Sequence, residues 1–447
     1  MESFFKNDSS QPAYIQLYNY FRGLILTGAL PSGSKLPSIR GCARRFSVSK
    51  TTVESAYVQL EAEGCIYSVP QSGFYVSEMS KLVGGEKFFQ TSYETKSSDN
   101  IIYDFTSSAA DEESFDFKLW QRYIKSSLRT GARLLDYGDP QGEEDLRKAL
   151  CEYVSRSRGI ICSPSQIVIG AGVQNLLQLL CALEKEKSTV HFLGQPYPKG
   201  EQIFCDYGKS VATDEKYNIS VPADIIYTCP SHINYMGDVL PVSKRIDLIK
   251  YARENSCLII EDDFDSEFSY TGHPVPALQS LDGGNNVVYI GTFSKLLIPS
   301  IRISFLVLTA SLSKKYSCVR HLYNQTASKT EQIALCRYIS DGHLYSRLKK
   351  TKKLYADKTK QFYTCLKEYA GSDVEISSSG FFVSLKLADG DISEIEKVFE
   401  KEGMKVYLFK NSPQEIIIVF SVFSISVDKI SESALKIGNL IKKNKFL

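Results

Sequence analysis

Residues 288–302 read VYIGTFSKLLIPSIR. An apolar, β-like run empties into Thr292-Phe293-Ser294-Lys295, and Arg302 follows seven residues after the lysine. Such a run reads as a buried strand. A lysine on its own is most often a surface group, so its place at the mouth of this strand needs the neighbouring segments to explain it.

Outward from that point, apolar runs alternate with amphipathic stretches. The strand candidates are QIVIG, TVHFLG, ADIIYTCP, CLIIEDD, NVVYIGTFS and RISFLVLT. Helical stretches such as EEDLRKALCEYVSRS, with Leu146, Leu150 and Tyr153 on one face, fall between them. Near-continuous apolar strands separated by helices predict an α/β domain with a mostly parallel central sheet covered on both faces. Ligands in such folds bind beyond the carboxyl ends of the strands. At those ends stand Gly172-Val173-Gln174, the QPYP turn with Tyr197, the SHINYMG loop with Asn234, Asp262-Asp263-Phe264-Asp265, and Thr292 through Lys295. Gly172 opens a helix whose N-terminus suits an anion. One cofactor uses all of these groups. Pyridoxal phosphate needs a lysine for its aldehyde, a carboxylate for its ring nitrogen, a cradle for its phosphate and an aromatic face over its ring. Lys295, Asp262, then Gly172 with Thr292 and Arg302, and Tyr197 fit those roles in turn.

The first 77 residues are of another kind. Gln11–Thr27 reads as a helix, and Pro31, Gly33 and Pro37 break the chain. SIRGCARRF then forms a short helix, FSVS a tight turn, and Ser49 caps a further helix that buries Val53, Ala56, Tyr57 and Leu60. CIYSVPQSGFYVS reads as two short strands with Gly73 at their turn, a wing. From Lys35 to Lys50 the chain carries Lys35, Arg40, Arg44, Arg45 and Lys50 without an acid. Such a run is either a solvated basic face or a phosphate-contacting one. The helix–turn–helix–wing order favours the second, with Thr51 and Thr52 at the helix N-terminus. Residues 78–100, rich in Ser, Lys, Glu and Gly, read as a linker, and 101–447 as the α/β region. Its large part extends to about 340 and its smaller C-terminal part over about 341–447.

Composition sets outer limits. The 447 residues allow two or three domains, and 43% hydrophobic content supports sizeable cores. A net charge of +2 excludes a globally basic protein but not a local basic patch. Eleven cysteines lack C-x-x-C spacing and read as reduced thiols of a cytoplasmic protein. Five histidines form no metal-ligand spacing, so no metal site is expected. No secretory signal is visible, and no apolar run approaches the length of a bilayer span, so no membrane partner is expected.

The N-terminal residues resemble the winged helix-turn-helix of the GntR family of bacterial transcription regulators, most specifically in LPSIR, SKTTV and AYVQLEAEG. That resemblance implies DNA contacts by Arg40, Arg44, Lys50, Thr51, Thr52 and Gly73. Lys50 stands where the family often has arginine, so the bidentate fork to guanine is lost there. YGDPQGEEDLRKAL, IIEDDFDSEFSY, PALQSLD and GTFSKLLIPSIRIS resemble the pyridoxal-phosphate-dependent transferases of fold type I, with their smaller C-terminal α+β domain. They resemble most the MocR-type subfamily, which joins a GntR winged helix to this fold. By that likeness, over roughly residues 12–350, Lys295 forms the aldimine and Asp262 pairs the pyridine nitrogen. Asn234 bonds the ring hydroxyl, and Val173, Gln174, Thr292 and Arg302 hold the phosphate. The resemblance implies a homodimer, often swapped head-to-tail, that binds operator DNA and senses an amine, an amino acid or pyridoxal phosphate itself. Three positions depart from the pattern. Phe264 stands where a tyrosine is usual, Tyr235 replaces a proline, and Val422 stands where amino-acid-sensing relatives have the arginine that grips a carboxylate. These departures predict little or no transaminase turnover. The alternatives are an aminotransferase with an accessory DNA-binding domain, and a regulator whose large domain has lost its cofactor and only dimerises.

Overall fold

A computed structural model describes residues 11–78, 101–107, 111, 114–184, 187–214, 222–264, 266–268, 275–388 and 390–444. Most of the expected linker, from residue 79, and Asp265 of the acidic run lie outside the described residues. The chain forms two compact units, Met1–Ser97 and Ser98–Leu447.

In the first unit, helix α1 (Ala13–Leu26) buries Leu17, Tyr18, Phe21 and Ile25 on one stripe. Helix α2 (Ile39–Phe46) begins where Ser38 Oγ accepts from Gly41 N at 3.1 Å, and it ends at Ser47, which adopts left-handed backbone. Helix α3 (Lys50–Ala62) is capped by Ser49 and buries Val53, Ala56, Tyr57 and Leu60, as the spacing predicts. The Tyr57 ring meets Phe21 and Phe74 edge-on, and its hydroxyl donates to Pro37 O at 2.9 Å. Strands β1 (Ile66–Val69) and β2 (Gly73–Val76) pair antiparallel as the wing. Gln71, not Gly73, takes the left-handed position in the turn (φ 62°), and Gly73 opens β2 at φ 120°.

The second unit opens with β3 (Tyr103–Asp104). Its central sheet comprises β4 (Ile167–Gly170), β5 (Thr189–Leu193), β6 (Ser210–Asp214), β7 (Ile225–Thr228), β8 (Leu258–Asp263), β9 (Val287–Thr292) and β10 (Ser304–Val307). The order is β4-β10-β9-β8-β7-β5-β6. From β9 through β6 every pair is parallel, and β10 runs antiparallel to both of its neighbours. Six of these strands are the apolar runs of the sequence. The seventh, β6, is an exposed edge with the sequence SVATD, and it carries no apolar run by which to recognise it.

The smaller part holds a second sheet of β11 (Val374–Ile376), β12 (Phe382–Ala388), β14 (Tyr407–Ser412) and β15 (Glu415–Ser421), wholly antiparallel in the order β11-β12-β15-β14. The long helix His343–Ala370 and the helix Ile430–Asn444 pack beside it. A two-residue strand β13 (Met404–Lys405) pairs parallel with β3. Residues 103–104 therefore join the small part, whereas a division at about residue 340 assigns them to the large one.

Candidate functional site

Strand alternation sorts the acids at the end of β8. Successive side chains point to opposite faces of a sheet. Asp263 turns away from the cavity described below. It accepts from Arg158 Nε at 2.7 Å, Tyr289 Oη at 2.9 Å and Ser231 Oγ at 3.0 Å. Glu261 shares that face and accepts from the backbone N–H groups of Leu278 and Gln279, at 2.8 and 2.9 Å, at the start of the helix Leu278–Asp282. Asp262 faces the other way, into a cavity of about 400 Å³.

Around that cavity stand the ends of five strands. After β4, Gly172 caps the helix Val173–Leu183, so Val173 and Gln174 lie in its first turn. Gly172 has φ +98°, and a Cβ there would fall 2.5 Å from Arg302 Nη2. Only a glycine lets the guanidinium come this close to the helix start. Arg302, itself left-handed at φ 54°, donates to Ala171 O at 3.2 Å. Tyr197 begins the helix Pro198–Asp206 after β5, and its ring stacks on that of Tyr227, with 5.9 Å between centroids and 25° between planes. Tyr227, near the end of β7, donates its hydroxyl to Asp262. Thr292 ends β9, where its hydroxyl accepts from Ser304 Oγ at 2.9 Å and from Ser294 N at 3.3 Å. Lys295 follows, with Nζ 4.6 Å from the centre of the Phe264 ring and 5.2 Å from that of Phe423.

Burial and the Asp262 charge set the tyrosines. The Tyr197 phenol is pushed up to about 12, first by burial and then by Asp262, against the pull of Arg302. Tyr227, which is buried, is likewise raised by burial and then by the same carboxylate. Both therefore remain neutral phenols at physiological pH.

Gly172, Val173, Gln174, Tyr197, Asp262, Thr292, Lys295 and Arg302 all line this one cavity. Asn234 does not join them. Its carbonyl oxygen accepts from Met236 N at 3.1 Å and Asp238 N at 3.2 Å, and its amide donates to Asp238 Oδ2 at 3.0 Å, so the side chain folds its own loop. Tyr227 and Phe423, which the sequence pattern does not mark, also approach the site, as does His232 of the SHINYMG loop. Tyr227 could have been found from its place as the last but one residue of β7, beside a strand end. Phe423 carries no such signal, because it reaches Lys295 from the turn after β15, 128 positions away. Val422 faces the opposite way, into the core of the small part.

In the first unit, Arg40, Arg44, Lys50 and Thr51 are exposed and Thr52 is half-buried. Ser49 Oγ lies 2.7 Å from the hydroxyls of both Thr51 and Thr52 and accepts from Thr52 N at 3.1 Å, which holds the two threonines at the start of α3. Lys35 sits over the Tyr75 ring of the wing, 5.6 Å from its centre.

A winged helix-turn-helix on one unit and a lysine-bearing cavity in an aminotransferase-like α/β unit define a transcription regulator that carries an enzyme-like domain. The sequence pattern of bacterial regulatory proteins of the gntR family matches residues 13–76, and that of aminotransferase class I and II matches residues 108–427. The chain belongs to the GntR family, in the MocR-type subfamily that fuses these two domains. It is 36% identical to YdeL, an uncharacterized HTH-type transcriptional regulator of Bacillus subtilis (strain 168), over 97% of this chain and 96% of that protein. It is 30% identical to the probable rhizopine catabolism regulatory protein MocR of Rhizobium meliloti, over 79% of this chain and 77% of that one. A kynurenine aminotransferase structure from Pyrococcus horikoshii superposes with a TM-score of 0.67 at 22% identity, covering 77% of this chain and 91% of that one. That likeness establishes the fold. No helix among the described residues is long and apolar enough to cross a membrane.

Proposed function

We propose that this regulator binds pyridoxal phosphate at Lys295, senses an amine, an amino acid or the cofactor itself there, and binds operator DNA through Arg40, Arg44, Lys50, Thr51, Thr52 and Gly73. The observation that carries this is the convergence of Lys295 and Asp262 on one cavity whose far side is a helix N-terminus flanked by a guanidinium. The donor set fits the cofactor. The close approach of Arg302 to Gly172 forms a cationic cradle beside the backbone N–H groups of Val173 and Gln174, where a phosphate suits both the dipole and the charge. When bound, pyridoxal phosphate supplies an aldehyde that condenses reversibly with primary amines.

The residues of the chain divide the remaining work. Lys295 presents the resident amine. Asp262, which accepts from the Tyr227 hydroxyl, would pair with the protonated ring nitrogen. Tyr197 covers the ring as a neutral phenol, and Thr292 adds a hydroxyl at the phosphate end. Displacement of Lys295 by an effector amine alters what the small part packs against, which biases one domain arrangement over another. A homodimer gives two winged helices and hence an operator of two half-sites.

Adding pyridoxal phosphate to the purified full-length chain should give the visible band of the lysine-bound cofactor, and Lys295→Ala should abolish it. No band in the wild type, or an unchanged band in the variant, overturns the cofactor assignment. For the DNA role, a mobility shift with the protein's own upstream region should weaken strongly in Arg40→Ala and Thr52→Ala. Intact specific binding in both would misplace the reading helix.

A further inference from the structure

Any amine that replaces Lys295 on the cofactor must occupy the ground now held by Lys295 Nζ. That ground is walled by aromatic rings. Phe264 and Phe423 flank Nζ, with ring centres at 4.6 and 5.2 Å. His232 lies beside Phe264 at 5.3 Å between centroids and meets Phe382 edge-on at 4.8 Å. Phe382 meets Phe423 edge-on at 5.9 Å, which closes the cluster. The wall is also held in place. Lys358 is buried and donates to the carbonyl of Phe423 at 3.0 Å and to Asp111 at 2.6 Å, so the Phe423 turn is tied to the long helix of the small part.

Apart from Lys295 itself, the cations lie elsewhere. Among the described residues lining the cavity, the cations are Lys199, Lys295 and Arg302. Arg302 is committed to the Gly172 end. Lys199 is exposed on the helix that Tyr197 begins. A carboxylate set between Phe264 and Phe423 would lose its water and face the negative π-surfaces of the rings. An apolar or aromatic body would instead bury surface there and stack.

We propose that the effector is a primary amine with an apolar or aromatic body and no carboxylate, its body seated between Phe264 and Phe423. This rests on the assignment of pyridoxal phosphate to the Lys295 cavity. The exchange balances without water, oxidant or reductant. The incoming nitrogen bonds to the aldehyde-derived carbon, the bond from that carbon to Lys295 Nζ breaks, and the protons given up by the incoming nitrogen end on Lys295.

The test is a pair of probes with one body. Aliquots of the cofactor-loaded full-length chain are titrated with 2-phenylethylamine or with L-phenylalanine. Loss of the lysine-bound band is followed by absorbance, each value is normalised to the reaction of the same probe with free pyridoxal phosphate, and the melting temperature is read in parallel. The amine should act at a concentration at least about tenfold lower than the amino acid. Phe423→Leu, which removes the ring but leaves an apolar side chain, should shrink that preference several-fold, each titration being read against the lysine-bound band of the same loaded variant. L-phenylalanine acting as well as the amine, or a preference that survives Phe423→Leu together with Phe264→Leu, overturns the inference alone. So does a selective loss of L-phenylalanine binding in Lys199→Ala, because the carboxylate would then have found its cation. A loaded chain that never shows the lysine-bound band overturns the cofactor assignment, and this inference with it.

Discussion

Gly172 shows how much one missing carbon decides. Its φ of +98° is left-handed, and a Cβ there would meet the Arg302 guanidinium at 2.5 Å. Gly172→Ala therefore faces backbone strain of roughly 1–3 kcal/mol and displaces the cation from the helix start at the same time. The fold should survive with a melting temperature lowered by several degrees, whereas pyridoxal phosphate affinity, read by fluorescence titration, should fall by an order of magnitude or more. Unchanged affinity would show that the cradle lies elsewhere. Residues of this sort were legible in the sequence because they sit at strand ends, where an α/β sheet places its ligands. The same rule selected Asn234, whose side chain is not among the residues lining the cavity. A loop asparagine serves a cofactor or its own turn with identical chemistry, and this one bonds Met236 and Asp238. Phe423 was out of reach for another reason. Its partner Lys295 is brought to it by the docking of the two sheets, which leaves no local periodicity.

At the scale of the element, β8 carries two functions on two faces. Asp262 serves the cavity, while Glu261 and Asp263 lock the strand to its neighbours. Burial, then the charge of Asp263, pushes Glu261 up to about 7, although Arg158 and the two backbone N–H groups hold it down. A carboxyl whose folded value lies above its unfolded one stabilises the fold in its protonated form. That contribution is complete below the unfolded value near 4.5 and is lost as pH rises through about 7. Glu261→Gln is neutral throughout, so its deficit in stability relative to the wild type should shrink by about 2 kcal/mol between pH 5.5 and pH 8. Thermal melts of both proteins across that range measure it, and a constant or growing deficit would mean that Glu261 is ionised in the fold. The elements themselves were mostly visible beforehand. Apolar runs marked six of the seven central strands because burial on both faces demands apolar side chains. β6 was missed because an exposed edge makes no such demand. The antiparallel course of β10 and the β3–β13 pair, about 300 residues apart in sequence, depend on tertiary contacts that composition does not encode.

For the molecule as a whole, the two-domain order was legible because each domain carries its own signature, a basic helix pair in one and strand-end chemistry in the other. The assembly is argued from the surface. In the second unit, Leu135 and Tyr137 are 91% and 92% exposed and lie two positions apart, in a segment that leads directly into the helix Glu144–Arg158. Ile161 is 86% exposed as well. Leu135 and Tyr137, large apolar side chains two positions apart and almost wholly exposed, suit a surface that a partner covers. On the proposal that two winged helices share one operator, a second copy of the chain is the occupant that suits this surface. Light scattering on the purified protein should therefore return twice the 50.2 kDa chain mass. Leu135→Asp combined with Tyr137→Asp places two charges in that surface and should shift the protein to the monomer at micromolar concentration. Circular dichroism should stay unchanged, because neither side chain contributes to a core. Operator binding should weaken with dimer loss even though no DNA-facing residue has been touched, since two linked half-site contacts hold far more tightly than one. A wild-type monomer, or a doubly substituted protein that remains dimeric, would place the interface on another face of the unit.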